Sequence, residues 1–349
     1  MASLQRKRCL AIGDLHIKIG NVKLIEVFLQ KLRLYLETCG SLEFIVILGD
    51  TLNDFERIHS ECLSLCTRYF DLCCMYAKTY VIVGNHDMLA NTSFLSESHS
   101  FVSFKKWNQV NLVIVDKPVI VSLGSKSMVL CPYVEPGRFR DALDTVKVDM
   151  ESVFLIFCHQ EFRGCPLGST ISEKGDDWDT DMPLVISGHI HDRVWLKDTV
   201  YYPGSVLDHD LCVLEYDDKC SKPSKTCIQY IKLDLPVNQT LNVDKDSVTM
   251  SYVDSLILKK TTLNKIKLIV NIGTNGECQA FRRQAEYRKL LTHGIKVVLN
   301  QPKQLELEQK ARQANDLMPS YYELVRKNIE KHSNVYLDSD YKELVIGNS

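Results

Sequence analysis

The chain has 349 residues, 45% hydrophobic and 25% charged, with a formal net charge of −2. It reads as an ordinary soluble globular protein with room for one large domain and a smaller one, and it is not a strongly basic nucleic-acid coat. The charge is uneven: residues 236–349 carry 17 Lys and Arg against 13 Asp and Glu, a net of +4, leaving 25 against 31, a net of −6, in residues 1–235. Thirteen cysteines, an odd number without a C-x-x-C pair, read as reduced thiols rather than a disulfide framework or a zinc site. No stretch approaches ~18 unbroken apolar residues, and no long apolar run follows the basic N-terminus. The expectation is an intracellular protein of a reducing compartment, cytoplasm or nucleus, with no signal peptide and no membrane span.

Residues 9–12 form a short apolar run ending at Gly13-Asp14. Val22, Ile25, Leu29, Leu32 and Leu36 then recur at helical spacing. A second apolar run, 44–48, ends at Gly49-Asp50. A helical stretch over roughly 56–77 leads to a third run, 80–83, which ends at Gly84-Asn85-His86-Asp87. This is the pattern of a βαβαβ unit with a parallel sheet. Strands follow at 112–115, 119–123, 128–131, 154–158 and 184–187, then a hairpin of 194–196 and 200–202 about Lys197-Asp198. Beyond residue 217 comes an exposed loop, then a polar stretch, 236–250. The run 266–271, a helix around 277–292 and the run 295–299 suggest a small second βαβ unit. A last amphipathic segment, 318–331, places Tyr322, Val325 and Ile329 near one face.

Each ligand-bearing strand delivers its polar residues just past its C-terminal end, where ligands collect in open α/β sheets. The set comprises Asp14 and His16, Asp50, Asn85, His86 and Asp87, the lone His159, and the pair His189 and His191. No packing need explains it, because burying unpaired ionisable groups is costly. The mixture of imidazole and carboxylate suits a pair of divalent metal ions, whose usual work is phosphoester hydrolysis. Asp50, with two oxygens, is the natural bridge between two cations. Asn85 offers a neutral carbonyl; His86 is placed to protonate a leaving oxygen, and Asp87 to orient that imidazole. Gly188-His189-Ile190-His191 is expected to set two imidazoles on one side of an extended backbone. His59, His99, His209, His293 and His332 lack such company and read as non-ligands, with Asp208 and Asp210 as loop carboxylates.

The ordered set Gly-Asp-x-His, Gly-Asp, Gly-Asn-His-Asp, His, Gly-His-x-His resembles the calcineurin-like metallophosphoesterases over residues 8–216. Within them it looks most like the SbcD-type nuclease subunits of double-strand-break repair, including their phage and viral relatives. Four details point there: 83–87, the stretch Asn91-Thr92-Ser93-Phe94-Leu95, Asp116-Lys117-Pro118-Val119, and Tyr202-Pro203-Gly204-Ser205. The resemblance implies an α/β fold, a phosphoesterase β-sandwich flanked by helices and built from βαβ units, followed by a small α+β capping domain and a C-terminal helical segment. The corresponding domains are a nuclease body over 1–235, a DNA-binding cap over 236–305 and a segment over 306–349 that docks on an SMC-like ATPase. It assigns Asp14, His16, Asp50 and His191 to one metal, Asp50, Asn85, His159 and His189 to the other, and makes His86 the acid or phosphate-contacting residue. Two divalent ions, manganese by family habit, would serve a DNA exo/endonuclease acting in repair and recombination, as a homodimer with its ATPase partner. Cellular members often carry a DNA-contacting histidine three residues beyond the bridging Asp; Asn53 stands there here. Arg282, Arg283, Arg288 and Lys289, expected on one helix, are the candidate phosphate contacts. A small-molecule or protein phosphatase of the same superfamily, and a scaffold that has lost the chemistry, are the competing readings.

Overall fold

Short aliphatic runs build the strands of this protein, and helical runs of spaced apolar residues cover them. The computed structural model describes residues 6–300, apart from residues 56, 91, 107–109, 124–125, 169, 218–219, 221, 237–238 and 262. The described residues fall into two compact units, one within 6–236 with 261 and 263–264, the other within 239–260 and 265–300.

The large unit opens with β1 (Lys7–Ile12), α1 (Val22–Thr38), β2 (Phe44–Ile47), α2 (Ser60–Cys74), β3 (Lys78–Ile82) and β4 (Leu112–Val115). It continues with β5 (Val119–Leu123), β6 (Lys126–Cys131), α3 (Phe139–Asp144), β7 (Val153–His159), and a small hairpin of β8 (Pro166–Leu167) and β9 (Thr170–Ile171). The last strands are β10 (Leu184–Gly188), β11 (Val194–Leu196), β12 (Val200–Tyr202), β13 (Leu211–Tyr216) and β14 (Ile228–Ile231). One sheet runs β14-β13-β1-β2-β3-β4 and the other β11-β12-β10-β7-β6-β5. Neighbours from β1 to β4 are parallel, as are β6, β7, β10 and β12, with antiparallel strands only toward the edges.

Side-chain alternation along the strands explains the layering. Ala11, Phe44, Val46, Tyr80 and Ile82 on one sheet meet Met128, Leu130, Phe157 and Ile186 on the other. Their neighbours Leu10, Ile12, Ile45, Ile47 and Val81 face α1 and α2 instead. Val129, Cys131, Ile156 and Val185 pack against Phe139 of α3 and Trp178. The result is helix, sheet, sheet, helix, and residues buried on both faces give the near-continuous apolar runs seen in the sequence. Phe28, fully buried on α1, is one of the anchors, and truncating it to Ala would cost about 3–5 kcal/mol.

Departures from the sequence-based expectation are local. The helix over 56–77 begins only at Ser60, where the His59 ring caps it by accepting the Glu61 amide at 3.2 Å. The expected hairpin about Lys197-Asp198 is present: Leu196 pairs with Val200, the Thr199 amide donates to the Leu196 carbonyl at 3.1 Å, and Lys197 and Asp198 take positive φ, 48° and 60°.

The small unit comprises β15 (Gln239–Asp244), α4 (Met250–Lys259), β16 (Ile266–Asn271), α5 (Asn275–Arg283), α6 (Ala285–Thr292) and β17 (Lys296–Asn300). Its three strands are parallel in the order β15-β16-β17. Leu268, Val270, Phe281 and Leu290 form its core. The stretch read as polar contains β15, because Leu241 and Val243 alternate with exposed Thr240 and Asn242. The single helix expected over 277–292 is two helices, since Gln284 is extended (φ −70°, ψ 152°). The amphipathic segment 318–331, all of 306–349 and Asn91 lie outside the described residues. No helix among the described residues is long and apolar enough to cross a membrane.

Candidate metal centre

The C-terminal ends of β1, β2, β3, β7 and β10 bring eight side chains of the sequence set to one place. Asp14 and His16 follow β1, Asp50 follows β2, and Asn85 and His86 follow β3. His159 closes β7, and His189 and His191 follow β10. The first two loops are stitched together: the Leu15 and His16 amides donate to the Asp50 carbonyl at 3.3 and 2.9 Å, and the Ile17 amide to the Thr51 carbonyl at 2.9 Å.

Asp50 stands in the middle. Its Oδ1 lies 3.4 Å from His159 Nε2 and its Oδ2 3.5 Å from His16 Nε2, so each oxygen faces a different group of donors. On the first side, the Asn85 carbonyl oxygen is 3.0 Å from His159 Nε2 and 2.9 Å from His189 Nδ1. On the second, His16 Nε2 and His191 Nε2 are 2.9 Å apart. Asp14, fully buried, accepts the His189 amide on both oxygens and lies 3.4 Å from His159 Nδ1. Two sets of ligand atoms, Asp14–Asp50–His159 and His16–Asp50–His86, each fall within 4.8 Å of one another.

This crowding needs small and strained backbone. Gly49 has φ +104°, and a Cβ there would strike the His159 ring; one on Gly84 would strike the Asp50 carboxylate. His16, Asp50 and His189 also have positive φ, 45°, 46° and 82°, and such strain concentrates at functional sites.

Hydrogen-bond accounting tests whether the cluster suits a cation. His159 Nδ1 lies 2.8 Å from the Leu48 carbonyl oxygen, so its N–H donates there. Nε2 of the neutral ring then presents a lone pair to the Asn85 carbonyl oxygen. Two acceptors at that distance repel unless a proton or a metal ion lies between them. The buried Nδ1 of His16 has no hydrogen-bond partner either. The donor set is therefore one that divalent cations satisfy.

The electrostatics agree. Burial pushes His16 down to about 4 and His189 to about 3, and lowers His191, leaving neutral rings that need lose no proton to bind a metal. Burial would lower His159 too, yet the Asp50 and Asp14 carboxylates beside it raise it to about 9. Burial raises Asp14 to about 7, with His159 opposing and Asp50 adding. Burial would also raise Asp50, but the neighbouring His159 and His16 rings hold it below the usual carboxylate range. Without metal, the proton on His159 supplies positive charge to two buried carboxylates.

Two expectations about the site need correction. Asp87 does not orient His86: its oxygens accept the Leu52 amide at 3.1 Å and the Gly84 amide at 3.0 Å, so it ties the turn to the loop after β2. His86 is oriented by the Asn53 backbone carbonyl, 2.9 Å from Nδ1, and its amide donates to Asp50 Oδ1 at 2.9 Å. Nor do the two histidines after β10 lie on one side of an extended strand. The left-handed turn at His189 sends that ring to Asn85 and the His191 ring to His16.

The sequence reading missed other residues at the site. Tyr133 packs against His189 with ring centroids 5.9 Å apart, and Glu161 lies 3.7 Å from His189 Nε2. Tyr133 stands just past the end of β6, and that strand-end position was a usable signal. The backbone carbonyls of Leu48 and Asn53 left none. Among the other histidines, buried His99 donates to Asp116, which also accepts from Lys105, and Asp210 pairs with Arg193. His332 lies outside the described residues.

The predicted phosphate contacts are in the small unit. Arg282 and Arg283 end α5 and Arg288 lies on α6, all exposed. They do not share one helix, and Lys289 is bound to Asp254 of α4 at 2.5 Å.

A sandwich of mixed sheets that gathers buried carboxylates, an amide and imidazoles at its strand ends defines a metal-dependent phosphoesterase. The chain belongs to the calcineurin-like phosphoesterase family, whose sequence profile matches residues 7–193. It is 34% identical over 317 residues to "Putative phosphoesterase 078R" of Invertebrate iridescent virus 3, covering 85% of this chain and 86% of the viral protein. Over 286 residues it is 34% identical to "Putative phosphoesterase 244L" of Invertebrate iridescent virus 6, covering 79% of this chain and 97% of that protein.

Proposed function

We propose that this metal-dependent phosphoesterase is a DNA exo/endonuclease of the SbcD type, acting in break repair or recombination. The observation that carries the hydrolytic part is the division of donors about Asp50, with each oxygen facing its own group. Asp14, His16, Asp50 and His191 would hold one metal, and Asp50, Asn85, His159 and His189 the other, manganese being the expected ion. Bound there, two divalent cations supply Lewis acidity toward the phosphate oxygens and a water acidic enough to attack at neutral pH.

The chain's own residues do the rest. Burial of Asp14 and Asp50 leaves the attraction of their carboxylates for a cation poorly screened by water. His86 Nδ1–H donates to the Asn53 carbonyl, so Nε2 is the atom free to face a substrate. In its imidazolium form that Nε2–H can pass a proton to a departing sugar oxygen. A polymeric substrate is supported by the separate small unit, which exposes Arg282, Arg283 and Arg288. A homodimer and an SMC-like ATPase partner complete the reading, with residues 306–349 as the docking segment.

The test is a manganese-dependent assay offering linear duplex DNA, single-stranded DNA and a small phosphodiester dye in parallel, with Asp50→Ala as control. DNA degradation that disappears in the control supports the nuclease. Dye hydrolysis with both DNAs left intact contradicts it and favours a phosphatase or small-molecule phosphodiesterase.

A further inference from the structure

The loop after His16 carries an exposed lysine that is held in place with unusual care. Its neighbour Ile17 pairs with the loop after β2: the Ile17 amide donates to the Thr51 carbonyl at 2.9 Å, and the Asn53 amide to the Ile17 carbonyl at 3.2 Å. The Lys18 amide donates to Asn21 Oδ1 at 2.9 Å, and Asn21 Nδ2 in turn to the His16 carbonyl at 3.0 Å. Backbone on both sides of Lys18 is thus tied to the metal-binding loops.

The ammonium then donates to Asn53 Oδ1 at 3.1 Å. That is the residue whose carbonyl holds His86 Nδ1 at 2.9 Å, and the His86 ring sits 4.8 Å from the His16 ring. Lys18 and His86 thus share Asn53 as a partner, the ammonium on its side-chain oxygen and the imidazole on its backbone carbonyl. Its charge is also uncommitted: among the described residues it makes no ion pair, whereas Lys105, Arg138, Arg163, Arg193 and Lys289 each bind a carboxylate. A cation held by a neutral amide keeps its attraction for an incoming anion.

We propose that Lys18, positioned by Asn53, grips a second, non-scissile phosphate of a polynucleotide while the scissile one sits at His86. The inference rests on the nuclease reading and deepens it by naming a residue that selects a repeating phosphodiester chain over an ester with a single phosphate. An ester of one phosphate has nothing to offer Lys18 once its phosphate is at His86, whereas a polynucleotide presents a phosphate at every nucleotide.

The test uses the full chain loaded with manganese and a single-stranded oligonucleotide. Lys18→Met keeps the apolar stem and removes the charge. It should raise KM for the oligonucleotide about 3–10-fold with kcat within about twofold, and lower the slope of log KM against log salt by about 0.7, the share of one phosphate contact on a single strand. Lys18→Arg should restore both. An unchanged KM and salt slope would overturn the assignment, as would a fall in kcat at constant KM, which would mark a structural role. Failure of the nuclease reading looks different: the unmodified chain would leave the oligonucleotide intact.

Discussion

The two units differ in where they keep their polar groups. In the large unit the informative residues are buried and depend on one another: Asp14, Asp50 and His159 are almost wholly excluded from solvent, and each touches at least one of the others. In the small unit the interior is apolar and the charged residues lie outside, either paired, as Lys289 with Asp254, or exposed, as Arg282 and Arg283. Buried polar groups are expensive, so their presence announces a function; surface charges cost little and announce much less.

That contrast can be broken at its strongest point by His86→Ala. On the proposed role of His86 as proton donor in a nuclease, its loss should slow DNA cleavage about 10²–10⁴-fold. An activated dye ester, whose leaving group needs no proton, should suffer far less. Metal content should stay as in the unmodified chain. Loss of metal in this variant would make His86 a ligand, consistent with its place in one of the two sets of ligand atoms.

Asp87→Ala sharpens the distinction between chemistry and scaffolding. It strands two buried amides, those of Leu52 and Gly84, at about 1–3 kcal/mol each. The expected result is a clear drop in the melting temperature, larger than for His86→Ala. A variant as stable as the parent but catalytically dead would return Asp87 to the role of orienting His86.

The smallest effects belong to the small unit. Arg282→Ala with Arg283→Ala should weaken DNA binding several-fold and reduce its salt dependence, while Lys289→Ala, already committed to Asp254, should leave the binding nearly unchanged. An equal loss from all three, read by fluorescence anisotropy at several salt concentrations, would show that pairing does not predict which cation meets DNA.

Much of this molecule was legible before its structure. The apolar runs ending at Gly13, Gly49 and Gly84 are strands because residues buried on both faces of a parallel sheet have no polar alternation to hide. The gathering of Asp14, Asp50, His159 and the other motif residues followed from their strand-end positions. What escaped were interactions that sequence does not encode directly. The carbonyls of Leu48 and Asn53 orient two imidazoles, and any residue has a carbonyl. The positive φ of His189 redirected a pair of side chains that simple alternation would have kept together. Gln284 broke a helix without a glycine or proline to mark the place. β15 hid in a polar stretch because only half of each turn of its pleat faces the core.

The central claim is that the strand-end cluster holds two divalent ions with Asp50 between them. The direct measurement is a calorimetric titration of the metal-free chain with manganese, run at several pH values and in buffers of different ionisation enthalpy. The account predicts two ions per chain, and loss of both in Asp50→Ala. Because carboxylates raise His159 to about 9, that ring carries a proton at pH 7 that metal must displace. Binding should therefore release protons at pH 7 and tighten as the pH rises toward 9. A single ion per chain, binding that Asp50→Ala leaves intact, or affinity indifferent to pH would contradict it.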